Sequence, residues 1–280
     1  MCKLTCEVPC GVSQITKQKR QHEMNKRKII KTLEKIIPKP GGGTMSDKTY
    51  PRVGVVLENF SSPLVLDLNH DGVTSLDLYA TPAYFDMEKD GIREKTGWIQ
   101  STDALLAFDK NRDGIINDGT ELFGNNTLLS NGTKASNGFE ALKEYDENKD
   151  GVIDSKDNIY NALRLWQDSN SNGVTDAGEL HTLKELGVAS INLDYLNTSD
   201  YEEQNTLNQI SSFTTTEGET KIINDVWFKT NDMDTIKESI TLSDSVNVLP
   251  DYHGAGRAEN LSTAINTNTK LESKLLRWNR

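Results

Sequence analysis

From Val53 onward the chain alternates short apolar runs with polar, glycine-marked turns. Val53–Leu57, Leu64–Asp67 and Leu105–Phe108 have the length and composition of strands. Two more are expected at Gln209–Thr215 and Lys221–Phe228, joined by a turn at Thr216–Glu219. Helical spacing is expected in three places. Asn137 caps a helix carrying Phe139, Leu142 and Tyr145, and Ser155 caps one that turns Ile159, Ala162, Leu163 and Trp166 to one side. A third starts near Asp176, with Glu179 at capping-box spacing and Gly187 as its stop. These elements predict an α+β fold. Its expected organisation is a basic tail with a Gly/Pro linker over 1–52, a folded module over 53–235 and a polar extension over 236–280.

Composition shows that an ordinary core is not the whole explanation of stability. Hydrophobic residues make up only 35% of the 280. With a mean hydropathy of -0.59, the core is thin for the length, so other interactions must hold the chain together. Cysteine does not supply them. Cys2, Cys6 and Cys10 all lie in the first ten residues, and a disulfide framework for the module is excluded. Their spacing suits a metal or reactive cluster, but a zinc site needs a fourth ligand.

Charge is divided. Residues 1–44 hold ten Lys/Arg against three acids, while the whole chain has a net charge of -11. Residues 24–37 have the spacing of a short basic amphipathic helix, for which a mobile tail is the plainer reading. The acidic balance excludes nucleic acid as a main partner. No apolar run is long enough to span a membrane, and residues 1–23 lack the apolar stretch of a secretory signal peptide.

The acidic residues are clustered at a fixed spacing. Five loops share one pattern: Asp67-x-Asn69-x-Asp71-Gly72, Asp86-x-Glu88-x-Asp90-Gly91, Asp109-x-Asn111-x-Asp113-Gly114, Asp146-x-Asn148-x-Asp150-Gly151 and Asp168-x-Asn170-x-Asn172-Gly173. Calcium takes six to eight oxygen ligands at about 2.3–2.6 Å. Side chains at positions 1, 3 and 5 of a curled loop converge on one centre, and glycine at 6 permits the turn that aims the position 7 carbonyl inward. A carboxylate near position 12 completes the shell.

The fifth loop fits throughout, with the Val174 carbonyl, Asp176 at position 9 and Glu179 at 12. The fourth has the Val152 carbonyl, Asp154 and Asp157. The third has the Ile115 carbonyl and Asn117, but Glu121 falls at position 13, one residue late. The first offers only Asp77, at position 11, and the second has Glu94 at 9 and Gly97 at 12. The expectation is therefore short strands and helices joined by EF-hand-like loops that bind several Ca²⁺ ions. The 155–166 helix would be shared by the fourth and fifth loops. Carboxylates facing one centre repel each other without a cation, so folding should depend on calcium.

Around these loops the chain resembles the calcium-dependent self-processing module of FrpC-like RTX proteins. The resemblance rests on Pro63–Gly72, Asp90–Trp98, Asp118–Gly124, Leu163–Asp168, Ala177–Leu180, Leu186–Leu193 and Asp225–Phe228. It implies export by type I secretion. As partners it implies calcium together with other domains of a larger RTX protein or cell-surface components. It also implies calcium-driven cleavage of an Asp-Pro bond, in which the aspartyl carboxylate attacks its own peptide carbonyl to give a cyclic anhydride. The matching junction here is Ser62-Pro63, and no proline in the chain follows an Asp. A hydroxyl cannot form that anhydride, so the expectation is a calcium fold with a vestigial junction and no catalytic residue.

Overall fold

The computed structural model describes residues 60–202 and 205–237. The expected strand at 53–57, the basic segment, the cysteines and residues 238–280 lie outside the described residues. In chain order the elements are β1 (Phe60–Ser61), β2 (Leu64–Leu66), β3 (Ser75–Leu76), β4 (Tyr84–Phe85), β5 (Ile92–Thr96), β6 (Trp98–Ile99) and β7 (Ala104–Ala107). There follow α1 (Gly138–Lys143), β8 (Val152–Ile153), β9 (Arg164–Trp166), β10 (Leu180–Thr182), β11 (Val188–Asn192), β12 (Leu196–Glu202), β13 (Asn205–Thr215) and β14 (Thr220–Lys237). Single 3-10 turns sit at Gly119–Glu121 and Asn158–Asn161.

The expected α+β class is corrected: among the described residues strand makes up 42% and helix 8%, and the sheet is antiparallel and curled. The fourth loop alone follows an α-helix, α1, and it runs into a 3-10 turn, not a second α-helix; the others connect strands and short turns, so no loop sits between two α-helices as in an EF-hand. The shared 155–166 helix is instead one 3-10 turn followed by β9. The reason lies in where its apolar residues point. Leu163 and Leu165 enter one core while Trp166 enters another, which needs a strand between two apolar layers. The third expected helix does not form either. Glu179 still accepts a bond from the Asp176 amide at 2.9 Å, as a capping box would, but Leu180–Thr182 then pairs with β9. The first helix does form, with Asn137 Oδ1 accepting from the Glu140 amide at 2.9 Å.

β14 is the hub. It forms a hairpin with β13, with Gly218 in the connecting turn at φ 84°. Its other side pairs with β2, with Ile223 opposite Leu66 and Asp225 opposite Leu64. Further along it pairs with β1 and β5. The main path runs β10-β9-β7-β2-β14-β13-β11-β8, and β3 and β6 pair separately. One core takes Leu64, Leu66, Leu106, Phe139, Leu165 and Ile223. The other takes Val65, Leu105, Phe85, Trp98, Trp166 and Phe228. Because both faces are covered, β2 and β7 read as unbroken apolar runs. In the second core Trp98 lies 5.4 Å from Phe85, 5.5 Å from Trp166 and 5.8 Å from Phe228 between ring centroids, close enough for aromatic pairing to add to burial.

Where β2 begins, the backbone is pressed against the segment after the first 3-10 turn. A Cβ added at Gly124 would lie 1.4 Å from the Ser62 carbonyl oxygen. Backbone on both sides leaves no cheap relief, so Gly124→Ala is expected to cost more than about 3 kcal/mol. Urea unfolding in calcium checks this; a midpoint equal to that of the native chain would show that the contact yields.

Candidate metal centre

All five loops adopt one backbone conformation. Position 4 is left-handed in each, at His70, Lys89, Arg112, Lys149 and Ser171, with φ between 54° and 69°. The position 6 glycines have φ from 73° to 97°, a region that disfavours other residues. At position 1, an Asp oxygen accepts the position 6 amide in every loop: Asp67 at 3.0 Å, Asp86 at 2.8 Å, Asp109 at 2.9 Å, Asp146 at 2.9 Å and Asp168 at 2.8 Å. This set of bonds curls each loop around its own carboxylate.

The third, fourth and fifth loops are also closed in one way. The closing acid accepts the amides of positions 2 and 9. Glu179 takes Ser169 and Asp176, each at 2.9 Å. Asp157 takes Glu147 and Asp154, each at 3.0 Å. Glu121 takes Lys110 at 3.0 Å and Asn117 at 2.8 Å. Its extra residue is absorbed by the 3-10 turn, which Asp118 caps on Thr120. All three acids are buried, so each brings two oxygens to the loop interior. At position 7, Ile115 and Val174 have exposed side chains, which leaves the carbonyl as their contribution. Val152 is paired with Asn192 at the start of β8.

The position 3 asparagines currently face neighbouring acids with their amide nitrogens. Asn69 donates to Asp71 at 2.8 Å, Asn111 to Asp113 and Asn148 to Asp150 each at 2.9 Å, and Asn170 to Asp176 at 2.9 Å. Lys156 performs a similar service in the fourth loop, at 3.1 Å from Asp150 and 2.8 Å from Asp154. These partly positive groups stand where a cation would relieve the same repulsion. A cation would require the amides to turn and Lys156 to withdraw.

The first loop gains an acid that its own sequence does not contain. Asp77 is occupied in its own turn, accepting from Tyr79 at 2.7 Å. Asp103, from the start of β7, comes to the loop instead, and ligand oxygens of Asp67, Asp71 and Asp103 all lie within 4.8 Å of one another. Asp103 is fully buried, and its Oδ2 accepts from the Thr74 amide at 2.8 Å and hydroxyl at 3.1 Å. Its Oδ1 has no partner. Burial first, and then the charges of Asp67 and Asp71, push its carboxyl up to about 7 against the Thr74 bonds. A cation bound there would have to displace that proton, so uptake at this loop should weaken as the pH falls. Nothing near Ser101–Ala104 in the sequence signals this role.

Among the described residues, three buried side-chain oxygens lack a partner: those on Asp103, Asp146 and Asp225. Two belong to these loops, and both are carboxylates, the donors a hard cation prefers. The residues present therefore fit Ca²⁺. The second loop differs. Lys89 leaves it to pair with Asp118 at 3.3 Å, and Glu94 is buried within β5.

The fifth loop is wired into the aromatic core. Trp98 Nε1 donates to Asp168 Oδ2 at 2.7 Å, and Trp166 Nε1 donates to Glu179 Oε2 at 3.3 Å. Burial holds the Asp168 carboxyl above the usual range. Burial also acts on Glu179, but the amide, Ser169 and Trp166 donors outweigh it and the net direction is down. The third and fifth loops touch through Thr175, whose hydroxyl accepts from the Ile116 amide at 3.0 Å.

Fold and loops together define an antiparallel β module built around repeated Asp/Asn-Gly turns. The SPM domain model matches residues 64–229, and the chain belongs to that family. It is 38% identical over 205 residues to the iron-regulated protein FrpA of Neisseria meningitidis serogroup C. That match covers 72% of this chain and 18% of the relative, so the chain spans less than a fifth of that protein. The chain is thus related to the FrpA/FrpC-like group of RTX proteins. No helix among the described residues is long and apolar enough to cross a membrane.

Proposed function

We propose that this chain is a calcium-binding module of an exported RTX-type protein, and that its fold is assembled as its loops take up the ion. The observation that carries this reading is the common closure of the third, fourth and fifth loops. There a buried acid bridges the amides at positions 2 and 9. Bound calcium supplies the positive charge that several facing carboxylates need.

Asp67, Asn69, Asp71 and Asp103 would hold one ion. Asp109, Asn111, Asp113, the Ile115 carbonyl and Glu121 would hold a second. Asp146, Asn148, Asp150, the Val152 carbonyl, Asp154 and Asp157 would hold a third. Asp168, Asn170, Asn172, the Val174 carbonyl, Asp176 and Glu179 would hold a fourth. Calorimetric titration of the whole chain is expected to count about four ions. Asp103→Asn is expected to weaken one of them by about tenfold or more, with the others unchanged. A titration without heat, or an Asp103→Asn chain that binds like the native one, counts against these assignments.

Export and the partners that go with it, other domains of a larger RTX protein or cell-surface components, rest on the relationship to the FrpA/FrpC-like group. A second reading, calcium-triggered self-processing, is favoured by one observation: the Ser62-Pro63 junction is gripped on every side. Asn125 Oδ1 accepts from the Ser62 amide and the Asn125 amide donates to Ser62 Oγ, each at 3.0 Å. Ser62 nevertheless lacks the carboxylate that anhydride formation requires, and the native chain is expected to remain whole in calcium.

A further inference from the structure

The third and fifth loops meet at the same position in each. Position 8 is Ile116 in one and Thr175 in the other. The Thr175 hydroxyl accepts from the Ile116 amide at 3.0 Å and faces the Ile116 carbonyl oxygen at 3.5 Å. One side chain thus does what a pair of backbone bonds does between strands. In the other loops position 8 is engaged elsewhere. Thr74 of the first donates its amide to Asp103, Arg93 of the second pairs with Ile236 in β14, and Ile153 of the fourth pairs with Ile191 in β11. The contact is also anchored from beneath. The Ile116 side chain is buried in the core that holds Trp98 and Trp166. Those two indoles donate to Asp168 and Glu179, the first and closing acids of the fifth loop.

We propose that the third and fifth loops form one two-ion unit, with Thr175 as the positioning residue that couples them. The claim rests on the calcium reading above and goes beyond it by stating which sites act together. The reason is the geometry of a peptide group. The Ile116 amide and the Ile115 carbonyl belong to one planar trans unit, so the N–H and the C=O point in opposite directions. Holding that N–H on Thr175 therefore fixes the direction of the Ile115 carbonyl, the position 7 ligand of the third loop. A cation on the carbonyl in turn polarises the peptide and makes its N–H the stronger donor to Thr175. In the fifth loop Thr175 stands between the Val174 carbonyl and Asp176, both assigned to its ion. Fixing its side chain orders the backbone that presents them. An ion in either loop thus orders part of the other, and the second ion meets a smaller ordering cost. Repulsion between the two ions opposes this, and water and salt weaken it at the exposed loop surface. The coupling is reciprocal, each site tightening the other by the same factor. The fourth loop, tied to β11, stands outside the unit.

The test uses terbium as a stand-in for calcium, on the whole chain. Trp98 and Trp166 touch acids of the fifth loop, so indole excitation passes to an ion held there and its luminescence reports that site. Chains loaded with terbium are mixed with excess calcium, which keeps the fold assembled, and the decay of luminescence gives the release rate from the fifth loop. Thr175→Val keeps the shape and removes the hydroxyl; it should speed release by about tenfold. Thr175→Ser should restore the native rate. Glu121→Gln, which cripples the third loop, should speed release by a similar factor, and adding it to Thr175→Val should bring little more. Asp157→Asn, which cripples the fourth loop, should leave the rate unchanged. A native rate in Thr175→Val, or effects of Thr175→Val and Glu121→Gln that multiply in the double variant, overturn the coupling. Should Thr175→Val not fold, Glu121→Gln and Asp157→Asn decide, and equal release rates in those two overturn it. A native chain that gives neither terbium luminescence nor heat on calcium titration sinks the calcium reading and the coupling with it. Luminescence with rates unmoved by Thr175→Val and Glu121→Gln sinks the coupling alone.

Discussion

In millimolar calcium the purified chain is expected to give the circular dichroism of an antiparallel β fold, and in EGTA that signal is expected to collapse. The cause is electrostatic. The fourth loop gathers Asp146, Asp150, Asp154 and Asp157, and the first draws Asp67, Asp71 and Asp103 within 4.8 Å. Lys156 and the asparagine amides offset part of this repulsion, but these contacts are exposed and worth little in water. Binding energy at such sites becomes folding energy. The transition has a built-in optical reporter. Trp98 and Trp166 donate to the first and last acids of the fifth loop, so loss of that loop changes the surroundings of both indoles together. Their emission should shift to the red in EGTA and return when calcium is restored. Spectra identical in the two conditions would sink calcium-dependent folding.

Asp225→Asn is expected to stabilise the fold at pH 7.5 and to leave it nearly unchanged at pH 4, with both chains measured in the same calcium. The folded-state carboxyl is pushed up to about 7 from an ordinary value of 3.8 by burial. Below 3.8 the group is protonated whether the chain is folded or not, and it costs nothing through ionisation. Between 3.8 and about 7 the unfolded chain releases the proton while the folded chain keeps it. Stability of the native chain therefore falls as pH rises through that window and levels off above it. At about 1.4 kcal/mol per tenfold change, the full penalty is on the order of 4 kcal/mol as an upper bound. Asparagine retains an oxygen to accept the Gly138 amide, as Asp225 does, and removes the charge. Denaturation at the two pH values checks this, and a difference of the same size at both would show that ionisation of Asp225 is not its source.

What one short segment can encode was legible from its residues alone. The five loops, their turn glycines and the acids placed to close three of them, Glu121, Asp157 and Glu179, follow from spacing within about a dozen residues, because each loop makes its own hydrogen bonds. The strands at Leu64 and Leu105 were legible as apolar runs, and the hairpin around Gly218 from its turn. The rest depends on how segments distant along the chain pack together. Apolar residues three and four apart over 155–166 read as one helix face, yet they serve two cores on opposite sides of a strand, and only the partner strands select between those outcomes. Asp103 reaches the first loop, and Asp225 reaches the start of α1, through the pairing of β2 with β7 and β14. Contacts that join residues distant along the chain leave no local period or motif, so these two carboxyls became visible only when the sheet brought them into place.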